Sequence, residues 1–375
     1  MKVLLAGGGT GGHIFPAITI AQTLREQYGD VDVLFVGAQG GLEATLVPKA
    51  GFPFVGVPAR YLRRELSAEV FRTAWTAWRG FAEAWRIVGR FRPDVAVGTG
   101  GYVSGPVIAA AALRRVPVVL QEQNALPGLT TRLLARTARR IALGSAAASG
   151  YFPSDGRAVV TGNPIRRDIL RATRDEALAA FGLDPRKKTL LVFGGSQGGR
   201  TINRAMIEAA PALLRRGDVQ IIQQTGPAHF AEVVEAAGAV RRGEERAAAG
   251  DWHILSFIYD MPKAYAAADL VLCRAGAITL AEITAKGLPA VLVPYPFAAE
   301  RHQDANAAEL AQAGAALVVP DAELTGQRLL ATVQPLLDDD ERRRRMGEAA
   351  RRLGRPDAAE RIAALIREAA RKPDR

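Results

Sequence analysis

One cysteine, Cys273, is all the chain contains. No disulfide framework is available, and a reducing cytoplasm suits such a sequence. The histidines, His13, His229, His253 and His302, are few and scattered. Without a spaced cluster of His, Cys or acidic residues, no metal site is expected. Asp338-Asp339-Asp340 imitates a metal-binding D-x-D, but four arginines, 342–345, follow closely, so a helix start is expected there. Long apolar runs are also missing. Residues 3–6 are too short for a signal-peptide core and lack a small-residue cleavage site. Residues 107–120 are broken by Arg114, Arg115 and Pro117 and cannot span a bilayer. Aromatic residues make up only 6% of the chain and gather on one helical stretch. Nucleic-acid binding wants them interleaved with basic residues along a groove, so no nucleic-acid partner is expected.

What is present is a globular composition. The 375 residues are 49% apolar, enough for two domains with a core each. Formal net charge is +11, which fits nucleic acid, an anionic membrane or phosphate-bearing substrates, or only base composition or heat adaptation, and charge alone does not choose among them. Apolar runs at 3–6, 32–36, 95–97, 117–120 and 158–161 alternate with helical stretches. A second series follows at 189–193, 220–224, 252–256, 270–273 and 290–293. Such continuous apolar strands predict parallel sheets covered on both faces. The chain also repeats itself once. A strand leads into Gly8-Gly9-Thr10-Gly11-Gly12-His13, and another leads into Gly194-Gly195-Ser196-Gln197-Gly198-Gly199-Arg200. The pattern predicts two Rossmann-like domains, with the boundary at the turn Gly162-Asn163-Pro164.

A glycine turn between strand and helix brings backbone N–H groups to a phosphate. Gly7, Gly9 and Gly12 match a dinucleotide fingerprint, but the second strand ends in Gly37-Ala38-Gln39 with no acid for a ribose. That disfavours a nicotinamide enzyme, and neither turn ends as a P-loop does. Two such turns, one per domain, point to two phosphate-bearing substrates. His13, just inside its helix, is the candidate general base; hydrogen bonding to a substrate phosphate is its other reading. Glu282, one turn into the helix after Gly276, is a candidate to grip ribose hydroxyls; an ordinary surface glutamate is its other reading.

Residues 67–92 carry three of the four tryptophans. At about 100° per residue, Phe71, Trp75, Trp78 and Trp85 share one stripe, and Arg72, Arg79 and Arg86 form a second beside it. Tryptophan suits a headgroup boundary and arginine attracts anionic lipid, so this helix is the expected membrane contact. Packing of the stripe against the sheet is the competing expectation. Ala77, Phe81, Ala84 and Val88 offer another face for that packing.

The motifs together resemble the MurG family of peptidoglycan N-acetylglucosaminyltransferases. They are Gly8-Gly9-Thr10-Gly11-Gly12-His13, Gly41-Leu42-Glu43, Gly100-Gly101-Tyr102-Val103-Ser104-Gly105-Pro106 and Glu122-Gln123-Asn124. Gly162-Asn163-Pro164-Ile165-Arg166, Gly194-Gly195-Ser196-Gln197-Gly198, residues 276–282, and His302-Gln303 with Asn306 follow in family order. The resemblance implies an α/β GT-B fold, two Rossmann-like domains facing a cleft. The first would span 1–163, with a last helix at about 357–372 packed back on it; the second would span 164–356. It implies transfer of N-acetylglucosamine from UDP-N-acetylglucosamine to the 4-hydroxyl of lipid I, with inversion, domain closure and no cofactor. Arg166 and Ser196 would meet the donor diphosphate or ribose, and Ile258 the uracil. Ala277, Ile278, Thr279, Leu280, Ala281 and Glu282 would take phosphate and ribose. Gln303 and Asn124 would read the sugar, with Thr10, Gly11 and Gly12 lining the donor. Gly9, Gly101, Tyr102, Ser104 and Gly105 would hold the lipid diphosphate of the acceptor. His13 would be the base, with Glu122 the second catalytic candidate. The protein would sit peripherally on the cytoplasmic face of the membrane, with other cell-wall synthesis proteins as candidate partners. Two departures stand out: Gln121 where the family often has histidine, and Ala275 where serine is common. Another GT-B sugar transferase, a UDP-N-acetylglucosamine 2-epimerase and a non-catalytic nucleotide-sugar binder are the alternative readings.

Overall fold

Seven short apolar runs in the first half form one sheet. They are β1 (Lys2–Gly7), β2 (Asp32–Ala38), β3 (Phe54–Val57), β4 (Val95–Gly100), β5 (Val118–Glu122), β6 (Arg140–Leu143) and β7 (Ala158–Val160). The computed structural model describes residues 1–58 and 69–371, with the backbone alone for 69–77. The order is β3-β2-β1-β4-β5-β6-β7, and every pairing is parallel. Val3, Leu4 and Leu5 are all fully buried, because helices cover both faces. This is why β1 reads as a continuous apolar run instead of alternating. The helices are α1 (Gly11–Tyr28), α2 (Glu43–Lys49), α3 (Glu69–Phe91), α4 (Ser104–Leu113) and α5 (Leu129–Leu134). Leu4 and Ala6 pack with Ala84, Val88 and Ile108 of α3 and α4, while Val3 and Leu5 pack with Ile14, Ala17 and Ile20 of α1.

The second sheet comprises β8 (Lys188–Phe193), β9 (Val219–Gln224), β10 (Val240–Arg241), β11 (Arg246–Ala249), β12 (Trp252–Leu255), β13 (Leu270–Cys273), β14 (Ala290–Leu292) and β15 (Ala316–Val318). Its order is β10-β11-β12-β9-β8-β13-β14-β15, antiparallel only among β10, β11 and β12. Around it lie α6 (Arg167–Arg171), α7 (Arg174–Phe181), α8 (Arg200–Leu214), α9 (Phe230–Ala236), α10 (Met261–Ala267), α11 (Ala277–Lys286), α12 (His302–Gln312), α13 (Gly326–Asp338) and α14 (Asp340–Leu353). The acidic triplet falls at the α13–α14 junction. Asp339 caps α14 by accepting the Arg342 N–H at 2.8 Å, and Asp338 pairs with Arg216 at 2.6 Å. Both carboxylates therefore have structural partners.

Two units result: Met1–Ile165 with Pro356–Arg375, and Arg166–Arg355. The last helix, α15 (Ala358–Ala370), belongs to the first. Its Ile362 and Ile366 are fully buried in the cluster built on α1. Each such side chain contributes about 1.5–3 kcal/mol of burial. Arg140 holds Glu368 at 2.6 Å, and Arg139 donates to the carbonyls of Ala369 and Arg371, so cations close the helix C-terminus.

Candidate functional site

In each sheet one strand stands where the strand order reverses: β1 lies between β2 and β4, and β8 lies between β9 and β13. Ligands of open α/β sheets bind beyond the carboxyl ends of strands at that point. The two glycine turns follow these two strands.

In the first unit the turn is held from below by Glu43, a carboxylate only 1% exposed at the start of α2. Gly9 N–H donates to its Oε2 at 3.2 Å and Ala38 N–H to its Oε1 at 2.7 Å. The neighbouring β4–α4 turn comes so close that a Cβ on Gly101, at φ +83°, would lie 2.2 Å from the Gly8 carbonyl oxygen. Only glycine permits that contact. Tyr102 sits beside Gly9, and burial together with the Glu43 charge raises its hydroxyl pKa. Glu43→Ala leaves one buried and one partly buried N–H group without their acceptor. The expected loss is about 2–5 kcal/mol of stability, measured by urea unfolding; an unchanged midpoint would show that the turn does not depend on this carboxylate.

His13 is half-buried. Its Nδ1 lies 2.9 Å from the Thr99 carbonyl, and the Thr99 hydroxyl donates back to the His13 carbonyl at 2.9 Å. A proton on Nδ1 makes that contact a hydrogen bond and leaves Nε2 as the basic nitrogen. The Thr99 carbonyl also accepts from Gln123 Nε2 at 2.6 Å. Gln123 Nε2 reaches Gln121 Oε1 as well, Gln121 donates to Asn163 Oδ1 at 2.9 Å, and Asn163 donates to the Gln123 carbonyl at 2.9 Å. Three buried amides thus fix the carbonyl that orients His13. Sequence reasoning assigns this role to neither Thr99 nor Gln123. Glu122 is buried, and its oxygens accept from Asn124 N–H, Asn124 Nδ2 and Gly128 N–H at 3.1, 3.2 and 3.1 Å. That is the environment of an orienting carboxylate. Thr10, Gly11, Gly12 and Asn124 all belong to this unit, as do Ser104 and Gly105 at the start of α4.

In the second unit Ser196 is exposed in the turn after β8. Gln224, at the end of β9, links two expected donor contacts. Its Nε2 donates to the Gly195 carbonyl at 2.8 Å, and its Oε1 accepts the Ile258 N–H at 2.7 Å. Ile258 is 2% exposed, so its carbonyl is the backbone group left for a base. A cavity of about 510 Å³ adjoins it, lined in part by Phe181, Glu245, Phe257, Tyr259 and Lys263.

Helix α11 starts after Gly276 and presents Ala277, Ile278 and Thr279 in its first turn. Leu280 instead faces the core, and its N–H is bonded to the Gly276 carbonyl. Ala281 is half-buried. Glu282, 9% exposed, is no surface glutamate. Tyr265 donates its hydroxyl to Oε2 at 2.9 Å, and Arg166 Nη2 stands 3.9 Å from Oε1. Burial pushes the carboxyl pKa up to about 7, against the pull of Arg166 and of the Tyr265 hydrogen bond; Asp168 adds to the rise. Gln303 Oε1 accepts from the N–H groups of Ala275 and Tyr295 at 3.1 and 2.9 Å, so its amide nitrogen is what a sugar can meet. Asn306 donates to the Ala275 carbonyl at 3.2 Å. Among the described residues, no group of three or more His, Cys, Asp or Glu side chains is placed to hold a metal ion.

On α3, Ala84, Ile87 and Val88 are buried, while Trp78 and Trp85 are 59% and 37% exposed. Arg79 and Arg86 are exposed beside them. The core face is therefore the alanine-valine one, and these two tryptophans do not pack on the sheet. Phe71, Arg72 and Trp75 lie outside the described side chains. Leu113 of α4 and Leu129 and Leu133 of α5 are also exposed, and Arg114 stacks 4.1 Å over the Trp85 ring. Among the described residues no helix is long and apolar enough to cross a membrane.

Two family models match: the glycosyltransferase family 28 N-terminal domain over residues 3–143 and its C-terminal domain over residues 189–362. The chain is 44% identical to a transferase of Desulforamulus reducens, with 96% of each chain covered. It is 46% identical to one of Moorella thermoacetica, with 98% of each covered. Both relatives are named UDP-N-acetylglucosamine–N-acetylmuramyl-(pentapeptide) pyrophosphoryl-undecaprenol N-acetylglucosamine transferase. The crystal structure of Acinetobacter baumannii MurG aligns with a TM-score of 0.74 at 28% identity, covering 98% of this chain and 99% of that one. A putative UDP-N-acetylglucosamine 2-epimerase from Listeria monocytogenes aligns over 100% of this chain and 98% of its own, at 0.71 and 16% identity, a likeness of fold. Two parallel-sheet units of GT-B type, a glycine turn at each reversal point and near full-length identity all agree: the chain belongs to the MurG family of N-acetylglucosaminyltransferases, within glycosyltransferase family 28.

Proposed function

We infer that the chain transfers N-acetylglucosamine from UDP-N-acetylglucosamine to lipid I, giving lipid II and UDP for peptidoglycan synthesis. The observation that carries this is identity of 43–46% over nearly the whole length to transferases named for that reaction. The epimerase reading has only a shared fold behind it. Incubation with labelled UDP-N-acetylglucosamine and a lipid I analogue tests the assignment. A labelled disaccharide lipid is the expected product; label released only as a free sugar would defeat it.

The α-linked donor and β-linked product call for one in-line displacement, with a base on the attacking hydroxyl and positive groups at the leaving diphosphate. His13 Nε2 takes the proton of the 4-hydroxyl; the tautomer favoured by the Thr99 carbonyl supports that role. Glu122 orients Asn124 and takes no proton. Arg166, Ser196 and the first-turn N–H groups of α11 meet the diphosphate, and Glu282 accepts from the ribose hydroxyls. The Ile258 carbonyl and the adjoining cavity receive the uracil. Gln303 and Asn124 read the sugar, with Thr10, Gly11 and Gly12 beside it. Gly9, Gly101, Tyr102, Ser104 and Gly105 hold the acceptor diphosphate.

The lipid-linked acceptor places the reaction at a membrane, and the reading puts the protein peripherally on its cytoplasmic face. The outward tryptophans of α3 and leucines of α4 and α5, with Arg79 and Arg86 exposed on α3 and Arg114 stacked on Trp85, fit an anionic headgroup boundary. Arg79→Ala/Arg86→Ala is expected to weaken sedimentation with anionic vesicles about 30-fold, at roughly 1 kcal/mol per arginine. Trp78→Ala/Trp85→Ala is expected to weaken it even in high salt. Parent-like binding by both variants, with unchanged circular dichroism, would move the membrane contact elsewhere.

A further inference from the structure

Tyr265 is a large polar side chain in an apolar place. It is 1% exposed, belongs to the core cluster of the second unit, and meets Phe193 edge-on with ring centroids 6.0 Å apart. Filling that space needs only a phenylalanine. A buried phenol persists where its hydroxyl has a partner, and here the partner is Glu282 Oε2 at 2.9 Å. The two oxygens of Glu282 are thereby made different. Oε2 is tied to the core, and Oε1 is on the side of Arg166.

We propose that Tyr265 is a positioning residue for the sugar-nucleotide donor, its hydroxyl holding Glu282 ionised and turned so that Oε1 accepts from a vicinal diol. This rests on the reading of Glu282 as the ribose contact. An ionised carboxylate accepts two hydroxyl hydrogens well, whereas a protonated one has lost half of that capacity. Burial drives Glu282 toward the protonated form, with its pKa near neutrality, and the donated hydrogen bond opposes it. Arg166 and Asp168 act on the same carboxylate from the α6 side, the first favouring the charge and the second opposing it. From β13, Cys273 is buried against Tyr265, and its own thiol is held neutral by burial. From α14, Arg351 reaches α11 at its far end, over Gly287; from α12, Gln303 and Asn306 bond to Ala275, ahead of the helix. Tyr265 is thus the neutral donor that biases the site toward the anion.

A carboxylate with a raised pKa loses its charge as pH falls through that raised value, so donor affinity falls in acid. Removing the phenol raises the pKa further, so the loss begins at higher pH. The test measures kcat and donor KM from about pH 6 to about pH 9 for the parent, Tyr265→Phe, Glu282→Gln and the double variant. The sugar diphosphate does not titrate in that range. Phenylalanine keeps the ring and the contact with Phe193, so the core volume is preserved. Tyr265→Phe is expected to raise donor KM about tenfold near neutral pH, the size of one hydrogen bond to a charged acceptor, with kcat within about twofold. The ratio to the parent should shrink toward alkaline pH, where both carboxylates are ionised, and grow toward acid, and the substitution should add little in the Glu282→Gln background. A KM ratio constant with pH, or the same loss when Glu282→Gln is already present, makes Tyr265 a core residue only and overturns the proposal. A Glu282→Gln variant that binds donor like the parent overturns the ribose reading itself, whatever Tyr265→Phe does.

Discussion

His13→Ala lowers kcat about 10²–10⁴-fold, the usual contribution of a positioned base, and leaves donor KM within about twofold. The expectation rests on the tautomer. Thr99 offers His13 Nδ1 a carbonyl oxygen, which can only accept, so the ring proton resides on Nδ1. Thr99 is itself held from both sides, by its own hydroxyl bond to the His13 backbone and by Gln123. A second variant separates chemistry from scaffolding. In His13→Asn the shorter amide can still donate toward Thr99, but it has no basic nitrogen. Turnover should fall as far as in His13→Ala. Recovery of turnover in His13→Asn would mean that the ring only braces the loop. A change confined to acceptor KM in both variants would make His13 a phosphate contact. Gln123→Leu frees the Thr99 carbonyl of one partner and should reduce kcat by a smaller factor.

The elements legible in the sequence are the ones whose physics is local. Strands buried on both faces, such as β1 and β8, stand out as apolar runs, and the glycine turns after them mark candidate sites by composition alone. Five strands escape such a reading: β3, β6, β10, β11 and β15. Phe54–Val57 carries a glycine, and Arg140–Leu143 opens with an arginine. Val240–Arg241 and Arg246–Ala249 pair antiparallel in short charged segments at the sheet edge, and Ala316–Val318 has only three residues. Short strands like these are defined by what they pair with, which is long-range information. The site divides in the same way. Glu282 and His13 are legible because each follows a glycine turn at fixed spacing. Tyr265, Gln224, Thr99 and Glu43 act from 17, 34, 86 and 34 residues away from their partners, so no local pattern announces them. Gly41-Leu42-Glu43 is recognisable as part of a pattern, but its work as the acceptor for two backbone N–H groups needs the fold. On α3 the helical period offers two candidate faces, and burial of Ala84 and Val88 decides between them.

Gly198→Ala is expected to abolish useful donor binding, raising donor KM by about 100-fold or more, the scale of an ångström-sized misplacement of a binding group. Gly198 has φ +79°, and a Cβ there would lie 1.8 Å from the Thr225 carbonyl oxygen and 2.6 Å from its carbon. These are backbone atoms at the end of β9, so no rotamer relieves the overlap. Either the turn that carries Ser196 opens or the strand end moves, and with it Gln224, which ties Gly195 to Ile258. Backbone strain alone does not account for such a loss, and a matched control shows how much it contributes. Gly217 has φ +78° with nothing within 4 Å of its would-be Cβ, in the connection that follows α8. Gly217→Ala meets the same left-handed penalty, about 1–2 kcal/mol, without a clash and outside the expected donor contacts. It should lower the unfolding midpoint modestly and leave donor KM unchanged. The excess destabilisation and the whole of the binding loss in Gly198→Ala then belong to the collision with Thr225. If the two variants lose equal stability and both keep donor affinity, the 194–199 turn yields without consequence and is not what holds the diphosphate.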